Sequence, residues 1–387
     1  MPETLRYAGI VGVGAYAPQR VLTNEDLERM VETSNEWILE RTGIRERRIA
    51  APEQASSDLA LAAAREALAQ AGVAPEELDL VIVATNSPDM FFPATACLVQ
   101  DALGARRAGA FDVSAGCTGF IYALSIGSQF IMTGAAEKVL VAGADSLSKM
   151  VNWEDRGTCI LFGDAAGAVV LEPVPEGYGV LSFCLRADGS GGPLLTLPAG
   201  GSRLPASHET VDRKLHTIHM QGREIFKFAV RVMGEVALEV LRKAGVGPER
   251  VGCLIPHQAN LRIIEAAAKR LGLGMDRVFV NLDRYGNTSA ASIPVALKEA
   301  LDGGYIRPGD YVVMVAFGTG LTWGGALVRW LPEERRGILP TDRRRNPESF
   351  SKAKFPVGGR GILPTDRRRN PESFSKAKFP VGEVCGC

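Results

Sequence analysis

One helix-to-strand passage occurs twice in this chain, and a duplication of that length constrains the fold more than any composition does. Residues 67–86 read ALAQAGVAPEELDLVIVATN and residues 240–259 read VLRKAGVGPERVGCLIPHQA, so Gly72, Pro75 and Glu76 align with Gly245, Pro248 and Glu249. Each copy is an amphipathic helix, a Gly/Pro stop and a short apolar strand. Three more correspondences follow in the same order. LGARRAGAFDVSAGCTGF from Leu103 parallels LGLGMDRVFVNLDRYGNTSA from Leu271, KVLVAGADS from Lys138 parallels YVVMVAFGT from Tyr311, and GDAAGAVVL from Gly163 parallels WGGALVRWL from Trp323. Identities are few, and the shared order is what carries the repeat. Alternating strands and helices in two similar halves predict an α/β fold with mainly parallel sheets covered on both faces. The halves fall at 1–179 and 180–331, and the Gly/Pro/Ser-rich stretch from Arg186 to Arg213 reads as a long surface loop or lid.

With 387 residues, 46% of them hydrophobic, the chain can bury a large core, which excludes a disordered or fibrous protein. No stretch has the length and apolarity of a membrane span, and the N-terminus lacks a signal-peptide layout, so a cytoplasmic location with no membrane partner is expected. Seven cysteines without paired spacing argue against a disulfide framework. Formal charge is zero overall, yet residues 332–387 carry 13 Lys/Arg against 7 Asp/Glu. That basic tail holds a perfect 23-residue repeat, at 336–358 and again at 360–382, with no apolar periodicity; disorder is expected for it. Neither a nucleotide-binding fingerprint, a metal cluster nor a nucleic-acid stripe is convincing, since GDAAGAVVL lacks the strand-before-helix context.

Three polar residues fall at equivalent strand-to-helix ends of the two halves. Cys117 lies in GAFDVSAGCTGFIYAL, where a strand passes through Ser-Ala-Gly into a helix of small and apolar residues. A helix N-terminus favours the thiolate, so a lowered thiol pKa is expected, although a cysteine taken alone reads more often as a buried, inert hydrophobe. His257 follows the strand VGCLIP and opens NLRIIEAAAKRLG, and Asn287 in DRYGNTSAASIPVAL takes the place in the second half that Cys117 takes in the first. Ligands of parallel sheets gather at such carboxyl ends.

Six ordered segments, TSNEWILERTGIRERRIA, DVSAGCTGF, DRGTCILFGDAAGAVVLE, HQANLRIIE, NLDRYGNTSAASIPVAL and FGTGLTWGGALV, make the chain from Leu5 to Leu331 resemble the beta-ketoacyl-acyl carrier protein synthase III family. The resemblance implies a five-layered αβαβα thiolase-like fold, a homodimer without metal or other cofactor, and an acyltransferase that initiates type II fatty acid synthesis. It implies acyl-CoA as primer, malonyl-acyl carrier protein as extender, and Cys117, His257 and Asn287 as the catalytic triad. Further roles carried over from it are an oxyanion hole from the backbone N–H groups of Cys117 and Gly320, and CoA contacts from Trp37, Arg156, Thr33, Arg41 and Asn260. Phe92 matches the position beside the acyl tunnel, and Lys227, Arg262, Lys269 and Arg270 would form a carrier-protein face, although such charges on amphipathic helices also read as an ordinary solvated side.

Among rivals, a thiolase working without decarboxylation should carry a second cysteine in its late Gly-rich loop, and Phe317-Gly-Thr-Gly320 has none. A related synthase taking an unusual primer in secondary metabolism stays open, as does a catalytically silent binding relative, which the intact Cys, His and Asn disfavour.

Overall fold

The computed structural model describes residues 6–332. The basic tail, for which disorder was expected, lies outside the described residues apart from its first position.

Each half builds one sheet. The first runs, in spatial order, Tyr7–Tyr16, Asp164–Val174, Val139–Ser146, Leu80–Ala84 and Gly109–Val113. The second runs Gly179–Ala187, Thr322–Arg329, Tyr311–Gly318 and Val251–Pro256. Taken in that order the pairings agree in direction: antiparallel, antiparallel, then parallel. The duplicated sequence passages therefore occupy equivalent places in equivalent sheets.

The sheets are not mainly parallel, contrary to the expectation from alternating elements. Thr322–Arg329 returns directly from Tyr311–Gly318 through a tight hairpin, and a hairpin can only join antiparallel strands. The passage from Val139–Ser146 to Asp164–Val174 likewise contains only short helical turns and no crossover helix. The second copy also departs at its second correspondence, from Leu271. Where the first half has the paired strand Gly109–Val113, the second has a single parallel bridge between Leu254 and Val278. There the Gln258 side chain replaces ladder bonds, donating to the Phe279 carbonyl at 3.2 Å and accepting from the Asn281 N–H at 3.0 Å.

Helices complete a five-layered αβαβα stack. Ser56–Ala71 and Thr95–Leu103 cover the outer face of the first sheet, Gly119–Met132 and Ser292–Asp302 lie between the sheets, and Gly222–Lys243 with Leu261–Leu271 covers the outer face of the second. Because both faces of each sheet are covered, central strands such as Val139–Ser146 are buried at every position rather than alternately. The core between the sheets joins Phe120, Ile121 and Leu124 of one inner helix to Ile293 and Leu297 of the other.

Leu261–Leu271 shows how the pattern becomes structure. Asn260 caps it by accepting the Arg262 N–H, Gly272 ends it in a left-handed conformation at φ 68°, and Ile263, Ile264, Ala267, Ala268 and Leu271 make one buried face. Burying each Ile or Leu of that face contributes about 1.5–3 kcal/mol. The stretch expected as a loop is partly structured, with a 3-10 segment Gly189–Leu194 and a two-residue strand Leu195–Thr196 paired to His219–Met220. No helix among the described residues is long and apolar enough to cross a membrane.

Candidate active site

Two turns from opposite halves press together at the strand ends. In the first half, Gly109–Val113 leads through a single 3-10 turn, Gly116–Thr118, into the helix Gly119–Met132, which places Cys117 at the sheet's carboxyl end. In the second, the hairpin turn after Gly318 lies against it. A Cβ on Gly318 would overlap the backbone nitrogen of Cys117, so only glycine permits this approach. Thr322 Oγ1 fastens the two turns, 2.8 Å from the Ala115 carbonyl oxygen and 3.1 Å from Thr118 Oγ1.

The short run Asn287–Ser292 then touches every member of the predicted triad. Asn287 is held by its backbone, donating to the Leu161 carbonyl at 2.8 Å and accepting from the Gly163 N–H at 3.1 Å. Its side-chain oxygen accepts the Ser289 N–H at 2.9 Å, so the amide N–H donors are what it has left for a ligand. The Ser289 side chain lies close enough to Cys117 to favour its thiolate. Ser292 Oγ lies 2.7 Å from His257 Nδ1, and the His257 ring packs edge-on against Phe317, centroids 5.4 Å apart. His257 is itself fixed at the end of its strand by an N–H donated to the Val315 carbonyl at 2.8 Å. Its other ring nitrogen, Nε2, is buried and meets no partner among the described residues. A buried polar atom without a partner costs free energy, which is what a site awaiting a ligand shows.

Burial sets the charge states here, and it corrects one expectation. The Cys117 thiol is not lowered but pushed up to about 12, because burial outweighs the influence of the Ser289 side chain and the Asp145 carboxylate nearby raises it further. Burial also lowers His257 to about 3, which keeps the imidazole neutral at any ordinary pH.

A depressed histidine couples to stability. The unfolded chain binds a proton near pH 6.5 and the folded one only near 3, so stability is fully present above about pH 6.5 and is lost as pH falls toward 3. Accordingly, a His257→Gln variant should show a flatter fall of Tm between about pH 6.5 and pH 4 than the parent, in thermal melts at stepped pH. Parallel curves would mean that His257 is not buried neutral.

Sequence comparison places this geometry. Residues 111–189 match the 3-oxoacyl-[acyl-carrier-protein (ACP)] synthase III family and residues 241–330 its C-terminal region. A beta-ketoacyl-[acyl-carrier-protein] synthase III from Desulfitobacterium hafniense is 62% identical over 330 residues, covering 85% of this chain and 99% of the relative. The chain belongs to the beta-ketoacyl-[acyl-carrier-protein] synthase III family. A relative of the same name from Symbiobacterium thermophilum is 63% identical over 326 residues, covering 84% of this chain and 99% of its own length. The crystal structure of 3-oxoacyl-[acyl-carrier-protein] synthase III from Aquifex aeolicus superposes with a TM-score of 0.77 at 52% identity, covering 84% of this chain and all of that one.

The outlying residues of this synthase III chain sort unevenly. Trp37 is half-buried, with the guanidinium carbons of Arg156 and Arg41 5.5 and 5.9 Å from its ring centroid. Arg156 thus rests on Trp37 in a direct cation–π contact, and a base stacked between them must first part the two. Thr33 Oγ1 is buried without a partner. Asn260 is engaged structurally, capping its helix and donating to the Arg41 carbonyl at 2.8 Å. Phe92 is 85% exposed, so within one chain it lines no acyl tunnel. Lys227, Arg262, Lys269 and Arg270 are all exposed on the two adjacent outer helices, with Lys227 paired to Glu224 at 2.9 Å. Gly320 lies in the hairpin turn beside Cys117, at φ 135°. Residue reading missed Ser289, Ser292 and the buried Asp145. The polar positions of GNTSAAS, two and five residues past Asn287 in an otherwise apolar run, were the available signal.

Proposed function

We propose that this chain condenses an acyl-CoA primer with malonyl-acyl carrier protein through an acyl-Cys117 intermediate, and that 1–179 and 180–331 are two copies of one ancestral half. The observation that carries the reading is the Asn287–Ser292 run, which contacts Cys117 and His257 while leaving His257 Nε2 and the Asn287 amide N–H groups free to donate.

The chemistry follows from those atoms. Cys117 attacks the primer thioester, one thioester replaces another, and the thiol proton leaves with the departing CoA thiol. The backbone N–H groups of Cys117 and Gly320 stabilise the oxyanion formed in that attack. With the Ser292 hydroxyl donating to Nδ1, His257 carries its proton on Nε2, and both it and the Asn287 amide donate to the enolate oxygen as the malonyl group loses CO2. The carbanion attacks the acyl-Cys117 carbonyl, expels the sulfur as thiolate and forms the beta-ketoacyl product; solvent returns the thiol proton. No base for a carbon-bound proton is needed, which suits a neutral histidine and an asparagine.

The homodimer is supported by a surface feature. Met90, Phe91 and Phe92 are 49, 77 and 85% exposed in succession, an apolar ridge that a lone soluble chain rarely leaves open. A second copy covers it, and Phe92 reaches the acyl tunnel of that copy. Phe92→Ala is then expected to raise the relative rate with longer or branched primers, read from a chain-length profile; an unchanged profile removes Phe92 from the tunnel. Trp37, Arg156, Arg41 and Thr33 surround the CoA entrance, with Asn260 fixing the Arg41 backbone, and Lys227, Arg262, Lys269 and Arg270 receive the acidic carrier protein.

Stoichiometry tests the whole reading. One CoA and one CO2 released per beta-ketoacyl-carrier formed supports decarboxylative condensation, whereas CoA release without CO2 would point to thiolase chemistry.

A further inference from the structure

We infer that Asp145 is a positioning residue for the decarboxylation half of the reaction, clamping the Asn287–Ser292 run of the second half onto the first. Asp145 is the penultimate residue of the central strand Val139–Ser146 and is fully buried, with no cationic side chain hydrogen-bonded to it. A buried carboxylate without a countercharge survives only where donors surround it, and here they do.

Its Oδ1 accepts the N–H groups of Asn86 at 2.7 Å and Ser87 at 3.1 Å, together with the Ser87 hydroxyl at 2.9 Å. Its Oδ2 accepts the Ala290 N–H at 3.1 Å and the Asn86 amide at 3.2 Å. That same Asn86 amide donates to Ser289 Oγ at 2.9 Å. Asp145 and Asn86 therefore grip Ser289 and Ala290 from two sides, and both belong to the first half while the gripped residues belong to the second.

What they grip is strained. Ser289 has φ 50°, a left-handed conformation that a residue with a Cβ adopts only when its surroundings enforce it. From that conformation the Ser289 N–H reaches Asn287 Oδ1 and turns the Asn287 amide. Underneath, Gly143 completes the seat, since a Cβ there would overlap the Ala290 carbonyl. An asparagine at 145 has one oxygen only. Its NH2 would confront either the Ala290 N–H and Asn86 amide or the Asn86 and Ser87 N–H groups, so one side of the clamp must open.

The inference rests on the proposed roles of Cys117 and Asn287, and its test separates the two. Acyl-enzyme formation from acyl-CoA and CO2 release from malonyl-carrier are measured separately in the parent, Asp145→Asn and Asn86→Ala. The parent must perform both steps; if it does not, the proposed function fails, not the clamp. Asp145→Asn is expected to slow decarboxylation by at least about 10-fold, approaching the ~100-fold that deleting an oxyanion donor costs, with acylation slowed by no more than about 3-fold, since losing the carboxylate removes one of the influences that raise the Cys117 thiol. Asn86→Ala, which keeps the carboxylate and removes one arm of the grip, should show the same imbalance to a smaller degree, and it decides the matter if Asp145→Asn does not fold. A merely structural role would lower both steps together in each folded variant, and that result, or no change in either step, overturns the inference.

Discussion

Cys117→Ala is expected to abolish acyl-enzyme formation and condensation while retaining decarboxylation of malonyl-carrier. The sulfur is the atom that stores the acyl group, and among the described residues the other cysteines lie elsewhere: Cys159, Cys184 and Cys253 are buried in the core and Cys97 lies on an outer helix. Decarboxylation, by contrast, draws on His257 Nε2 and the Asn287 amide, whose supports are Ser292, the Ser289 N–H, the Val315 carbonyl and the Leu161–Gly163 backbone. None of these passes through the sulfur. Incubation with labelled acyl-CoA reads the first half, CO2 release the second. Label retained on the alanine variant would remove Cys117 as nucleophile.

The reciprocal result is expected for His257→Ala and Asn287→Ala, with acylation close to the parent and decarboxylation down by about 100-fold or more, the usual loss when an oxyanion donor is deleted. Because His257 is held neutral by burial, that donor role does not depend on protonation, and the decarboxylation rate should stay flat across neutral pH. Acylation should instead rise with pH, since the Cys117 thiol at about 12 leaves only a small thiolate fraction near neutrality. Variants that decarboxylate normally but fail to acylate would exchange the two roles.

Much of this was legible in the residues because duplication is a global signal. The passages from Ala67 and Val240, from Lys138 and Tyr311, and from Gly163 and Trp323 do fall on equivalent elements, and that equivalence is what brings Cys117 and Asn287 to facing turns. Strand direction was not legible, since it depends on whether the link between two strands holds a crossover helix, and the apolar pattern of a doubly covered strand is the same either way. Nor was the second-half counterpart of Gly109–Val113, whose ladder bonds are taken over by Gln258, a side chain that no local pattern marks as a strand substitute. The thiol pKa failed for a related reason. Helix proximity can be read locally, but desolvation and the carboxylate of Asp145 come from packing across both halves. Asp145 itself looks in sequence like the polar end of a strand, and only the donors converging on it from positions 85–87 and 290 show its place.

Acyl-cysteine chemistry is tested most directly by intact-mass analysis of the full chain mixed with a panel of acyl-CoA primers, before and after malonyl-acyl carrier protein is added. A single acyl adduct on Cys117 that forms with primer alone and discharges on addition of the extender is the predicted result. An adduct on another residue, an adduct that persists after the extender is added, or condensation product formed with no adduct at all would contradict it.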